Sequence, residues 1–227
     1  MMSAHSGRGR GVELSASELQ AQYASQGRYT AGVATAYETG PLTGEPTWQH
    51  QARGFGIGER FHSAGVVRLS DAKPMHLGHV ARADGRWRLY AFADSADIRS
   101  QGSVLRDTCE RLLNDPRVSL HQFGRAGADI DEVVDVRAVL QQSCHEIAPP
   151  DLPELLLPAK GPLGLLDYTK AFTAAGGTSD IYEQRAVDRR LGALVLVRPD
   201  QYVAHVLPLD GLTELTNFLA RFLKRPL

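Results

Sequence analysis

ALVLVRPDQYVAHVLPLDGLTELTNFLARFL, residues 193–223, holds two strand-length apolar runs, a turn and an amphipathic helix in succession. Residues 193–197 form an unbroken aliphatic run and 202–207 a second strand candidate. Arg198-Pro199-Asp200-Gln201 between them is turn chemistry, with Pro199 suited to the second position of a type I turn. From Asp210 the period changes: Leu212, Leu215, Phe218, Leu219, Phe222 and Leu223 share one stripe of a helix. A hairpin feeding an amphipathic helix needs a sheet on which both can pack.

Working upstream, 133–140 and 118–123 are Val- and Leu-containing strand candidates, and 103–113 is a helix whose Leu105, Thr108, Cys109 and Leu112 share a face, ended by Asn114-Asp115-Pro116. Val66-Val67-Arg68-Leu69 reads as a strand. Residues 80–93 read as a hairpin about the Asp84-Gly85 type I′ signal, with Trp87, Leu89 and Ala91 alternating against Arg86, Arg88 and Tyr90. Prolines 149, 150, 153, 158 and 162 forbid long elements between 149 and 162, and 163–172 is expected to hold a short helix. The order after residue 64 is thus strand, hairpin, helix, strand, strand, insertion, hairpin, helix. The fold class is α/β: a thioredoxin-like mixed sheet with flanking helices, preceded by a helix and a long irregular strap.

That first helix opens at Ser15-Ala16-Ser17-Glu18, a capping box flanked by Leu14 and Leu19 at staple spacing, and is expected to stop near Gly27. Residues 29–61 show no sustained period but many turn formers, and their apolar residues (Tyr37, Leu42, Trp48, Phe55, Ile57, Phe61) imply that the segment rests on another surface. The expected organisation is a flexible N-terminus at 1–14, helix and strap at 15–64, and a thioredoxin-like domain at 65–227.

With 227 residues and 43% hydrophobic content the chain can bury a full core, which excludes disorder throughout and a fibrous protein. Lys+Arg 25 against Asp+Glu 26 excludes a broad attraction to nucleic acid or an anionic membrane. No signal-peptide pattern opens the sequence and no apolar run approaches the ~20 residues of a bilayer span, so the expected location is the cytoplasm. Cys109 and Cys144 form no C-x-x-C pair, and Cys109 reads as a small core residue with only Arg106 as a basic neighbour.

The chemistry is mostly negative. Gly54-Phe55-Gly56-Ile57-Gly58 lacks the strand and helix of a phosphate-binding turn and reads as a plain turn. His76 and His79 are a poor metal pair, because Pro74 and Gly78 disfavour a helix and a strand would point the rings apart. Asp129, Asp131, Glu132 and Asp135 read as a solvated loop rather than a cation site. In a thioredoxin-like fold the redox cysteines would fall at Phe92-Ala93-Asp94-Ser95-Ala96-Asp97, which holds none, so thiol-disulfide chemistry is not expected.

Longer motifs carry a resemblance. Arg28-Tyr29-Thr30-Ala31-Gly32-Val33-Ala34, Gly58-Glu59-Arg60-Phe61-His62-Ser63-Ala64, Asp71-Ala72-Lys73-Pro74-Met75-His76-Leu77-Gly78-His79, Asp84-Gly85-Arg86-Trp87-Arg88, Leu165-Leu166-Asp167-Tyr168 and Val197-Arg198-Pro199-Asp200-Gln201-Tyr202-Val203 resemble the C-terminal part of the phenol 2-monooxygenase and 3-hydroxybenzoate 4-hydroxylase family. The resemblance implies the end of a FAD domain followed by a thioredoxin-like domain that contributes to dimer contacts. FAD and NADPH serve the parent family, but its dinucleotide fingerprint and catalytic set have no matching positions here. No cofactor, metal or catalytic residue is therefore expected in this chain, which is uncertain as an enzyme and inactive alone.

The expected function is a non-catalytic accessory and dimerisation module, either fragment-like or acting with a separate FAD-bearing hydroxylase chain. The expected partners are a second copy of itself and that FAD-bearing chain, with no nucleic acid or membrane. Trp48, Phe55, Phe61, Tyr168 and Phe172 are the candidate interface residues. The alternatives are the C-terminal portion of an active phenol-type monooxygenase, or an aromatic-binding protein with His62, His76, Tyr168 and Lys170 as its polar groups.

Overall fold

The computed structural model describes residues 15–31, 34–174 and 179–223, so the expected flexible N-terminus and the Leu14 half of the staple lie outside the described residues. The chain divides into two compact units, Met1–Thr35 and Ala36–Leu227. In the first, helix α1 (Ala16–Thr30) starts directly after Ser15, where the capping box puts it. It does not stop at Gly27. The glycine costs about 1 kcal/mol in a helix interior but does not break the ladder, and its carbonyl accepts from both Ala31 N and Thr30 Oγ1.

The second unit is built on a mixed sheet. In chain order its strands are β1 (Gly65–Arg68), β2 (Pro74–His76), β3 (Trp87–Phe92) and β4 (Val134–Leu140); β5 (Ala159–Lys160) and β6 (Leu165–Leu166) form a separate ribbon; and β7 (Ala171–Ala174), β8 (Ala193–Val197) and β9 (Val203–Leu207) complete the sheet. The order across it is β2-β1-β7-β4-β3-β8-β9. Helices α2 (Val104–Asn114) and α4 (Leu212–Ala220) pack on one face, where Leu105, Cys109 and Leu112 meet the same core as Leu215, Phe218 and Leu219. A short helix α3 (Ile181–Gln184) contributes Ile181 and Tyr182 to the other face.

The β3-α2-β4 unit is parallel, β8 pairs antiparallel with β3, and β8-β9 is a hairpin running into α4. This β4-β3-β8-β9 core is the thioredoxin-like arrangement, and both the β8-β9 hairpin and the α4 stripe agree with the sequence pattern. The turn between β8 and β9 closes with Gln201 N donating to Arg198 O at 2.9 Å.

Three expected elements are corrected. There is no hairpin about Asp84-Gly85: Gly85 turns with φ +77, but residues 77–80 form a 3-10 turn and β3 runs centrally between β4 and β8. Its alternation therefore separates two buried faces rather than a wet face from a dry one. Residues 118–123 are not a strand, because Ser119 Oγ accepts from His121 N and caps a 3-10 turn, Leu120–Phe123. Residues 163–172 are not a helix: Gly161 and Gly164 reverse the chain into the β5-β6 ribbon, and β7 is drawn between β1 and β4 by backbone pairing.

The strap belongs to this unit. Residues 36–64 run along the outer edge of β9, where Gly44 N donates to Ala204 O, Gly58 N to Val203 O and Phe61 N to Gln201 O. The otherwise open edge is thereby covered. Phe55 and Phe61 then cross the face opposite α2 and α4, with Phe61 stacked on Tyr90 at 4.6 Å and Phe55 tilted against Phe92 at 5.3 Å. As interface residues these two are corrected, and so is Phe172 on β7: all three are buried in the chain's own core. Their partner is the sheet itself.

Candidate functional site

Where β3, β4 and β7 begin, charged side chains fill the sheet face that the strap's aromatics leave uncovered. Arg88, Tyr90 and Phe92 share one side of β3, and Asp135, Arg137 and Val139 the matching side of β4, so period-2 alternation puts a guanidinium beside a carboxylate on adjoining strands. Arg88 Nε lies 3.1 Å and Arg137 Nε 3.0 Å from Asp135 Oδ2. Lys170, directly before β7, places Nζ 2.5 Å from both Asp131 Oδ2 and Asp135 Oδ1 and 3.5 Å from Asp167 Oδ2. Lys160 and Arg86 reach Asp131 at 2.8 and 3.0 Å, and Asp84 accepts from Arg86 and Arg88.

Asp131, Asp135, Arg88 and Lys170 are all buried. Burial by itself would raise the Asp131 carboxyl, but hydrogen bonds from Lys160 and Lys170 outweigh it and bring the carboxyl down to about 2. Burial likewise works against charge on Lys160, whose hydrogen bond to Asp131 leaves it raised above the ordinary lysine value. The acidic stretch is therefore no solvated loop. Asp131 and Asp135 are the anionic centre of a buried ion-pair cluster, while Glu132 pairs with Arg125 and Asp129 accepts from Gly161 N. The sequence signal was the alternation Val134-Asp135-Val136-Arg137-Ala138 beside Arg86-Trp87-Arg88-Leu89.

The ribbon next to this cluster is the second feature. Leu163, Leu165, Leu166 and Tyr168 are 83%, 66%, 46% and 46% exposed. Successive strand residues point to opposite faces, so among the described residues each face of the ribbon carries an exposed leucine, Leu165 on one and Leu166 on the other. Lys160 and Gly161 tether it to Asp131 and Asp129. A two-stranded ribbon alone is marginal in water.

The remaining sequence candidates do not converge. Trp48 is half-buried and donates Nε1 to Glu214 Oε2 on α4. The cleft containing Lys170 is not lined by His62, His76 or Tyr168. The rings of His76 and His79 do not diverge: the 3-10 turn Leu77–Val80 brings them to 5.4 Å, with no metal-ligating group of three or more among the described residues. Cys109 is buried and its thiol pushed up to about 12 by burial. In the redox position, Asp94 instead accepts from Leu105 N at the start of α2. Among the described residues no helix is long and apolar enough to cross a membrane.

The family model for the phenol hydroxylase C-terminal dimerisation domain matches residues 35–227. The chain belongs to this family. It is 48% identical over 209 residues to a 3-hydroxybenzoate 4-monooxygenase from Comamonas testosteroni, covering 91% of this chain and 33% of that protein. It is 29% identical over 204 residues to the FAD-dependent monooxygenase terD of Aspergillus terreus, covering 87% and 33%. The chain thus spans about a third of the length of these relatives. The resemblance read from the motifs holds. The thioredoxin domain of a thiol-disulfide oxidoreductase from Bacteroides vulgatus superposes with a TM-score of 0.45 at 14% identity, over 74% of this chain and 99% of that one.

The glycine-rich stretch 54–58 does not fit the flavin that the name of the Aspergillus terreus relative implies. The glycines at 54, 56 and 58 are packed against Arg185 backbone, the Glu59 side chain and the Tyr37 carbonyl respectively, and two of their amides serve strap bonds, to Arg185 O and Val203 O. Two of the three glycine amides are thus taken by backbone carbonyls, so the stretch does not present the row of free amides that a phosphate cradle needs.

Proposed function

We propose that this chain is the non-catalytic self-association part of a cytoplasmic FAD-dependent aromatic-ring hydroxylase, and that its partner on the β5-β6 ribbon is a second copy of itself. The observation that carries this reading is the ribbon, whose Leu163, Leu165, Leu166 and Tyr168 stand in solvent on a tethered but uncovered element. Membership of a dimerisation-domain family supports a second copy as the occupant. FAD and NADPH chemistry is assigned to a FAD-bearing region outside these residues, on the same polypeptide or a separate one.

Light scattering coupled to size exclusion tests the reading. The chain is expected at twice its 24.7 kDa mass, and Leu163→Lys with Leu165→Lys is expected at the monomer mass with an unchanged far-UV spectrum. Tyr168→Ala is expected to weaken the dimer and Trp48→Ala to leave it intact. A monomeric wild type, or a lysine double variant that stays dimeric, overturns the placement.

A further inference from the structure

A cleft of about 400 Å³ opens where β1, β2, β4 and the 160–170 segment meet. Ligand pockets run from roughly 300 to 1,000 Å³. Its walls carry six cationic side chains, Arg68, Arg82, Arg86, Arg137, Lys160 and Lys170, against one carboxylate, Asp167. Arg137 and Lys170 are themselves more than nine-tenths buried.

Apart from Asp167, which lies 3.6 Å from Lys160 and 3.5 Å from Lys170, the carboxylates that balance these cations do not line the cleft. Asp131 and Asp135 lie behind Lys170, Lys160 and Arg137, Asp84 holds Arg86 and Arg88, and Asp71 holds Arg68 through Nη2 at 2.5 Å. Within the cluster five cations (Arg86, Arg88, Arg137, Lys160, Lys170) face four carboxylates (Asp84, Asp131, Asp135, Asp167), one positive charge in excess. Arg82 adds another: its backbone carbonyl accepts from Arg88 Nη2, and it forms no salt bridge among the described residues. Met75 and Val80, half-buried on the β2 side, supply apolar lining, and His79 stands at the same wall.

We propose that this cleft binds a small organic carboxylate, its charge taken by the Arg82, Lys160 and Lys170 side and its apolar body by Met75 and Val80. Excess cationic charge on partly dehydrated walls selects the anion, and the apolar lining selects an organic body over a bare inorganic ion.

Titration of the ¹⁵N-labelled chain, followed by amide shifts, provides the test with benzoate, its neutral isostere benzamide, and inorganic phosphate as probes. Benzoate is expected to saturate shifts of residues 75–82 and 160–170, with benzamide and phosphate each at least about tenfold weaker. Arg82→Ala, at an exposed side chain, is expected to weaken benzoate about tenfold and Arg82→Lys to restore most of it. Equal binding of benzamide means an apolar crevice only, and equal binding of phosphate means a generic anion site. Either result, the absence of saturable shifts, or an unaffected Arg82→Ala overturns the proposal.

Discussion

Replacing Lys170 with Met removes a buried cation while keeping most of its volume, and it tests whether the charge cluster holds the β4-β7 junction together. Lys170 is 1% exposed and its Nζ is shared by Asp131, Asp135 and Asp167. Without it Asp135 keeps Arg88 and Arg137, and Asp131 keeps Arg86 and Lys160. Breaking a buried pair from one side typically costs ~3–5 kcal/mol. The surviving cations put the expectation near the lower limit, about 3 kcal/mol, or a fall in Tm of roughly 6–12 °C for a chain of this size.

The pH dependence gives a second readout. The folded Asp131 carboxyl, at about 2, lies below its unfolded value, so its contribution is present above the unfolded pKa and is lost as pH falls through the folded one. From those two values the contribution is about 2–3 kcal/mol, with the unfolded pKa near 3.9. Because Lys170 is one of the two amines that depress this carboxyl, the stability gap between wild type and Lys170→Met narrows as pH is lowered from neutral toward 2. Urea unfolding at neutral pH and at pH steps below 4, with Cm and m both recorded, measures the gap. A neutral-pH difference under about 1 kcal/mol, or a gap that does not change with pH, refutes the idea that this cluster is a cooperative ion-pair network.

Two further outcomes follow from the packing. Gly58→Ala should detach the strap, since Gly58 has φ +83 and an added Cβ would collide with the Tyr37 carbonyl oxygen; a loss of at least about 2 kcal/mol and faster amide exchange at Val203 are expected, and a variant of wild-type stability would show the strap contact to be dispensable. Iodoacetamide should modify half-buried Cys144 in the folded chain and reach Cys109 only after unfolding, as read by peptide mass spectrometry, and early labelling of Cys109 would contradict its place in the α2 core.

Local pattern by itself was enough for the parts whose chemistry is local. The β8-β9 hairpin followed from two apolar runs about Pro199. Helix α4 followed from its stripe, and α2 from the face of Leu105, Thr108, Cys109 and Leu112 and the stop at Asn114-Asp115-Pro116. The longer motifs were enough for the family, and a cysteine-free Asp94 region was enough to remove thiol redox chemistry from expectation. The tertiary structure decided which apolar and charged residues are surface and which are core. Phe55 and Phe61 look like interface residues in a patternless segment, yet the strap lays them on Tyr90 and Phe92. Asp131 and Asp135 look solvated, yet β3 is central, so the side chains alternating with Trp87, Leu89 and Ala91 are buried too and need counter-charges from β4 and from Lys170 across the fold. Periodicity records which side of a strand a residue occupies, whereas what lies on that side depends on pairings between residues tens of positions apart, and those form only when the whole sheet does.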